Sequence, residues 1–495
     1  MQSHSPKLKL VVAAVATTVL GFPVFSSGVR VNPDGHGQAL IYPYYTARSV
    51  VPGNAYVTAL AVTNMTASAK AVKVRFLEGR AGAEVLDFNL FLSAYDLWTA
   101  GIVGAGAGAG IFTLDNSCTS PPISRNASNV TLFRNDAYTG DSVGDTLDRT
   151  YEGYIEMLEM GAIDPSTAFG VSITQRQDYS APNASRPLCN ALPVTNTTPT
   201  GMTRPIGGLI GNASYINVNE GTDFSVDAIA LGQWSDQVLW SASGNAHPTL
   251  ADVSPAVSAV IDSRDAGDAM IVTRWNTGRD AVSALFMSDR IANDFTVEAG
   301  IKGATDWIVT MPTKRFYVSG TLAMPPFRQA PNAEGRGEQV SMTYFDREQQ
   351  SPGGLTCFFA GICELGHFLK YASSTVPWLL NNGGTQSGTV LSSQNLSNFA
   401  TGQLIAPWIN GWAYLQLDGD SLHSLIAPAG QSTSTNLLTG ATTGNLTAIY
   451  RGLPVVGFSA QSYSTTGLPG VNPNVLSSYG GSFMHKVTRR IDIAP

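Results

Sequence analysis

Residues 70–92, KAVKVRFLEGRAGAEVLDFNLFL, alternate apolar and polar side chains with a period of two. Successive side chains of an extended chain point to opposite faces, so Val72, Val74 and Phe76 share one face while Lys73 and Arg75 share the other. Leu86, Phe88, Leu90 and Leu92 oppose Asp87, Asn89 and Phe91 in the same way. The spacing predicts two half-buried strands, and the segment 79–83, GRAGA, supplies the glycines that a hairpin turn between them requires. This hairpin sets the expected class as mainly β.

Working outward, the same period runs from Tyr56 to Ala100. A second region, AMIVTRWNTGRDAVSALFMSDR from Ala269, loosely repeats the plan: a strand, Asn276-Thr277-Gly278 as the turn, and a strand ending in Phe286 and Met287. Helical signals are few, and YIEMLEMG (154–161) suits a strand as well as a helical turn. The span from Trp240 to Val257, with Gly244, Pro248 and Pro255, reads as the main connection between modules. Three other stretches read as flexible: GIVGAGAGAG from Gly101, TNTTPTGMTRP from Thr195 and QSTSTNLLTGATTGN from Gln431. The expected architecture is two antiparallel β-sandwich modules of immunoglobulin-like type, with long loops and few short helices. Residues 1–28 form a signal peptide, 29–240 the N-terminal sandwich and 241–495 a C-terminal β-rich module. An outer-membrane barrel fits less well, because the alternating strands are short and proline-rich loops intervene.

The signal reading rests on KLKLVVAAVATTVLGFPVFSSG (7–28): two lysines, an apolar run from Leu10 to Leu20, and small residues at Ser26, Ser27 and Gly28. The run is shorter than the roughly 20 residues that span a bilayer, and no later stretch is a transmembrane candidate, so the mature chain is expected to be secreted, periplasmic or held at the cell surface. Loss of Lys7 and Lys9 leaves 27 basic residues against 36 acidic ones, a formal charge of −9. Such a surface repels phosphate backbones and argues against nucleic acid as a partner. Charged residues are only 13% of the chain, so neutral polar groups do most of the solvation, as suits an exported β protein.

Four cysteines, Cys118, Cys189, Cys357 and Cys363, are even in number in a compartment that permits disulfides; the favoured pairing is Cys118 with Cys189 and Cys357 with Cys363. Asp418 and Asp420, or Asn217, Asn219, Glu220 and Asp223, are candidate oxygen ligands for calcium, though neither group has the ordered spacing of a calcium loop. Glu156 and Glu159 are a candidate carboxylate pair for glycoside hydrolysis. Gly419-Asp420-Ser421-Leu422 matches the four-residue signature of the GDSL esterases, but position 482 is Ser where the aspartate before the downstream His485 should be, and too little chain follows for that fold. The reading preferred for it is a turn after the strand WAYLQLD. Tyr42, Tyr44 and Tyr45, and Trp408 and Trp412 in APWINGWAYL, could stack on a carbohydrate, whereas aromatics at strand spacing more often belong to the core.

The strings LIYPYYT, VKVRFLEGR with VLDFNLFLSAYDLWTA, EGYIEMLEMG, TDWIVTMPTKRFYV and GLPVVGF with SYGGSFMHK resemble a family of uncharacterised secreted proteins from Gram-negative bacteria. The resemblance runs over most of the mature chain and implies an envelope or extracellular location, with no activity attached. The expected function is therefore an exported, non-enzymatic structural or binding protein of the cell envelope or extracellular matrix, partnered by envelope proteins or by itself. The alternatives are a secreted hydrolase of polysaccharide or ester substrates, with Ser421 or acidic residues in a cleft, and a carbohydrate-binding protein using Trp408 and Trp412.

Overall fold

The computed structural model describes residues 28–49, 53–138, 142–175, 187–263, 268–331, 337–351, 367–378, 389–397, 409–464 and 478–495. The chain is mainly β, arranged as several antiparallel sheets. The hairpin read from residues 70–92 is present as strands Ala69–Glu78 and Glu84–Leu92, with Val74 opposite Phe88 and Arg75 opposite Asp87. Its turn is held by the Glu78 carboxylate, which accepts hydrogen bonds from the backbone N–H of Arg80 (2.7 Å), Ala81 (2.8 Å) and Ala83 (3.0 Å). Gly82 takes a left-handed φ of +75° there, a conformation that costs glycine little.

The apolar face of the hairpin packs as expected. Val72, Val74, Phe76, Phe88 and Leu90 share a core with Leu60, Trp98, Ile102, Ala213 and Tyr215 from a six-stranded sheet laid across them. The polar face departs from the half-buried expectation: Lys73, Arg75, Asp87 and Asn89 are all buried. Two things cover them. The long strand Glu152–Ile163 pairs alongside Ala69–Glu78, and the connection after Trp240 folds back over the face. Asn89 Nδ2 donates to the Ser241 carbonyl (2.8 Å), Gly244 N donates to Asp87 Oδ2 (2.9 Å), and Arg75 Nη1 donates to the carbonyls of Ala246 (3.0 Å) and Pro248 (3.2 Å). Lys73 reaches Asp87 at 2.6 Å and Lys70 reaches Glu159 at 2.7 Å. Buried charges persist only when paired and hydrogen-bonded, and here the covering segment supplies the bonds that water would otherwise make.

Two stretches read as flexible are ordered hairpins. The Gly-Ala run forms the end of strand Leu97–Ala105 and strand Gly108–Phe112, paired through a turn at Gly106. A Cβ at Gly108 would press on Thr150 and Leu147, so the small residues let the neighbouring chain approach. The Ser/Thr-rich stretch after Gln431 forms strands Ser432–Asn436 and Thr442–Arg451.

The second half departs from the copied plan at Gly278–Phe286, which is an α-helix and not a strand. Thr277 caps it, its hydroxyl accepting from Asp280 N at 3.3 Å. A Thr followed three residues later by an acid is a helix start, and that local chemistry overrode the turn reading of Asn-Thr-Gly. Beyond it, a five-stranded sheet in the order His367–Leu369, Glu338–Asp346, Asn410–Gln416, Arg290–Thr296 and Lys486–Thr488 faces a four-stranded sheet of Ser373–Trp378, Ala304–Thr310, Val456–Ser464 and Ser478–Met484. Ile291, Phe295, Ala413 and Leu415 from the first meet Trp307, Val309, Val376 and Trp378 from the second. The Phe295 and Trp378 rings stack at 4.2 Å.

Cys118 and Cys189 form a disulfide across 71 residues of sequence. Cys357 and Cys363 lie outside the described residues, as does the signal segment up to residue 27. Among the described residues no helix is long and apolar enough to cross a membrane.

Candidate ligand-binding site

The five-stranded sheet turns its second face outward, and the pairing register decides which side chains stand on it. Phe345, Trp412 and Asp294 lie side by side on three adjacent strands, with Thr343, Tyr414 and Ala292 in the next row. Since side chains alternate across a strand, the residues between them, Ala413 and Leu415, go to the core and the aromatic row faces out. Trp412 is 44% exposed. Its ring stacks on Phe345 at 4.7 Å with an interplanar angle of 18° and lies 6.1 Å from Tyr414. The Arg290 guanidinium covers Tyr414 at 5.1 Å. Gly411 makes the arrangement possible, because a Cβ at that position would collide with the Phe345 carbonyl oxygen and push the two strands apart.

Beside Trp412 opens a cleft of about 560 Å³ lined by the ends of these strands and by Gln461 and Tyr463 from the facing sheet. That volume is within the usual range for small-ligand sites. Its polar groups are held in place: Tyr463 Oη donates to Gln461 Oε1 at 2.5 Å, and Gln461 Nε2 donates to Asp294 Oδ1 at 2.9 Å. Burial, helped by the Asp294 charge, raises the Tyr463 phenol above its ordinary value, so the hydroxyl stays a donor. Asn410 Nδ2 donates to Glu298 Oε2 at 2.8 Å. Asp346 is 2% exposed; its Oδ1 accepts from the N–H of Glu348 (3.0 Å) and Gln350 (2.7 Å). A flat aromatic surface next to fixed acceptors and an oriented amide can hold a ring with one apolar face and a rim of hydroxyls.

Of the residues singled out in the sequence, Trp412 is in this site and Trp408 lies outside the described residues. Tyr42, Tyr44 and Tyr45 are fully buried core, Tyr44 stacked edge-on against Tyr215 at 5.8 Å. Glu156 and Glu159 do not face a cleft together; Glu156 is buried against Arg315 (2.9 Å) and Glu159 against Lys70. Asp418 and Asp420 each meet an arginine, Arg490 at 3.4 Å and Arg328 respectively. Asn217 Oδ1 accepts from Glu220 N at 3.1 Å within their turn, and the Glu220 carboxylate accepts from Asn54 Nδ2 at 2.8 Å. Among the described residues no group of three or more His, Cys, Asp or Glu side chains is placed to hold a metal ion.

Ser421 lies exposed in the turn after Asn410–Gln416. Neither candidate base is free to serve it. His485 is buried, with Nε2 at 3.0 Å from the Ile308 carbonyl and Nδ1 at 3.2 Å from Asn293, and burial lowers it to about 4. His423 is buried with Nδ1 at 2.9 Å from the Leu417 carbonyl and Nε2 at 3.1 Å from Glu338. Glu338 also accepts from Lys314 Nζ at 2.8 Å and from Arg328 N at 2.9 Å.

Burial alone would raise the Glu338 carboxyl, but the Lys314 ammonium and the His423 and backbone hydrogen bonds outweigh it and hold the group at about 2, below its ordinary 4.5. A depressed carboxylate stabilises the fold above its unfolded value and loses that contribution as pH falls towards the folded one. The fold should therefore lose up to roughly 3 kcal/mol between about pH 4.5 and pH 2 from this group. Urea midpoints of wild type and Glu338→Gln at pH 6 and pH 2.5 measure it: the variant should be much weaker at pH 6 and nearly equal at pH 2.5. An equal gap at both pH values would exclude the linkage.

The aromatic row could have been found from the i, i+2 spacing of Trp412 and Tyr414, which the pairing with Trp408 obscured. Asp294, Asp346 and Gln461 had no signal, since they meet only through pairing between distant strands. No family model, curated protein or solved structure matches the chain.

Proposed function

We propose that this is an exported, non-enzymatic binding protein of the cell envelope or extracellular matrix, and that it holds a glycan on the Trp412 face. The observation that carries the glycan reading is a tryptophan left 44% exposed and stacked on Phe345 beside a cleft of about 560 Å³ with pre-set polar groups. An exposed ring at a binding surface loses hydration on contact with the apolar face of a sugar, while the acceptors around it sort the hydroxyls. The export half of the proposal rests on the signal-like residues 7–28, the disulfide, and the resemblance to secreted Gram-negative proteins. Its architecture is proposed as two immunoglobulin-like sandwiches, supported by the two pairs of sheets that face each other across shared cores. Self-assembly through strand edges belongs to the same proposal.

Glycan-array screening of the full chain, followed by titration of the best oligosaccharide, tests it. Trp412→Ala should weaken binding roughly ten- to thirty-fold, the loss expected for about half an indole's contact area, with no change in thermal midpoint. Undiminished binding by the variant would return Trp412 to a packing role, and release of new reducing ends from the oligosaccharide would move the protein to the hydrolases.

A further inference from the structure

We infer that a cavity between the helix Gly278–Phe286 and the strands Arg30–Val31 and Ile229–Gly232 binds a small apolar carboxylate, with Arg489 as the residue that receives the anion. The cavity shares no lining residue with the cleft beside Trp412, so the inference does not rest on the glycan reading. Its volume is about 140 Å³. Val31 and Ile229 wall it from the first half of the chain, Leu285 and Phe286 from the end of the helix, and Val456 and Val487 from strands of the second half. An apolar cavity of about 150 Å³ takes one benzene ring and excludes water. The space therefore suits a single ring or a chain of about six carbons.

One side chain decides the polar end of the ligand. Among the described residues that line the cavity Arg489 alone is charged, since His485 is held neutral with both ring nitrogens engaged. Arg489 Nη2 donates to the Leu285 carbonyl at 3.1 Å, a bond that caps the last turn of the helix. That bond leaves the rest of the guanidinium unmet. Nε is sealed without a partner, no carboxylate among the described residues forms an ion pair with the group, and Nη1 makes no hydrogen bond yet is not sealed. Nη1 is therefore the atom that a ligand can reach. Burial lowers the guanidinium from its ordinary value and the Asp262 charge offsets only part of this, but an arginine keeps its proton. A cation withdrawn from water without a counter-charge is costly, and a carboxylate that supplies one recovers that cost through a charge-assisted hydrogen bond. The walls select the other end: a small inorganic anion would leave them uncovered, and a neutral amide of the same shape would leave the charge unmet.

Calorimetry on the full chain with hexanoate, hexanamide and acetate separates the cases. Hexanoate should bind at least tenfold tighter than either other probe, because it alone has both the apolar body and the charge. At saturation it should also raise the thermal midpoint, as a ligand of the folded state does. Arg489→Met keeps an apolar stem of similar length; it should bring hexanoate level with hexanamide and leave hexanamide binding unchanged. Should that variant fail to fold, Val487→Phe, at a lining position 41% exposed, should abolish binding of hexanoate and hexanamide at an unchanged thermal midpoint. Trp412→Ala should bind hexanoate as wild type does, and a loss there would overturn the inference by moving the ligand to the other site. Equal affinity of wild type for hexanoate and hexanamide would overturn it by reducing the cavity to an apolar void. Acetate binding as tightly as hexanoate would overturn it by making Arg489 an unselective anion site, and no binding of any probe would leave only a gap in packing. The last three results would leave the glycan proposal standing.

Discussion

Replacing Glu152 with alanine should destabilise the protein by about 3–5 kcal/mol, the cost of removing one partner of a buried ion pair. Both its carboxylate oxygens are fully enclosed and doubly bonded. Oε1 accepts from Arg48 Nε at 3.0 Å and from Gln394 N at 2.9 Å, while Oε2 accepts from Tyr44 Oη at 2.8 Å and from Ser393 Oγ at 2.6 Å. The Tyr44 phenol is pushed well above its ordinary value by burial and by the Glu152 charge, so it stays a donor. Truncation leaves the Arg48 Nε–H, two hydroxyls and a backbone N–H without this acceptor in a place that water does not reach, the Arg48 guanidinium keeping only its two bonds to Asp148. Because the four donors come from the strand at Tyr44, the turn at Arg48 and the segment 389–397, the loss should also free that last segment. Urea titration should show a lower midpoint with an unchanged slope, and limited proteolysis should cut near residue 393 first. The charge itself can be separated from the packing: Arg48→Met with Glu152→Met should recover part of the loss, since a paired replacement strands no buried charge. A single variant within 1 kcal/mol of wild type would mean that solvent enters this site and that the network is not sealed.

That network shows where sequence reading stops. The period of two in residues 70–92 gave the strands, their faces and the turn, because local sterics alone decide them. It gave the wrong environment for Lys73, Arg75, Asp87 and Asn89, because alternation distinguishes two faces without saying what covers either. A signal was present all the same: Arg75 stands opposite Asp87 across the hairpin, and Glu156 stands opposite Arg75 on the next strand. Complementary charges in register are what a buried polar face needs and what a solvated one can do without. The helix at Gly278–Phe286 was legible in principle from Thr277 and Asp280, and was lost because Asn-Thr-Gly is also a turn signal. The candidate site was legible only as Trp412. Asp294 and Asp346 are brought to it by register across three strands, information that no local pattern carries.

Removing the disulfide should cost about 4 kcal/mol, the chain entropy released when a loop of this length is opened. The bond joins Cys118, 2% exposed at the edge of the eight-stranded sheet, to Cys189 in the loop that follows the helix Ala168–Ile173. The consequences should spread beyond that loop. Trp240 Nε1 donates to the Thr195 carbonyl at 2.9 Å, and Ala242 N and Asn245 Nδ2 donate to Asn196 Oδ1 at 3.0 and 2.6 Å. The loop tied down by Cys189 therefore holds the segment 240–246, and that segment is the cover over Lys73, Arg75 and Asp87. Opening the disulfide should loosen the cover and let water reach the ion pairs, so Cys118→Ser with Cys189→Ser should lose both global stability and local order. Trp240 reports on it directly, packed 6.3 Å from Phe91 and 6.3 Å from Phe169. The double variant should show a lower urea midpoint, a red-shifted and more quenchable tryptophan emission, and faster amide exchange at Gly244 than at Val74, on the inner strand. Protein made in a reducing cytoplasm should behave as the double variant does, and oxidised protein should resist reductant until it unfolds, because Cys118 is enclosed. An unchanged midpoint together with unchanged exchange at Gly244 would show that the cover is held by its hydrogen bonds alone, and would remove the disulfide from the account of how a sheet with a charged face stays buried.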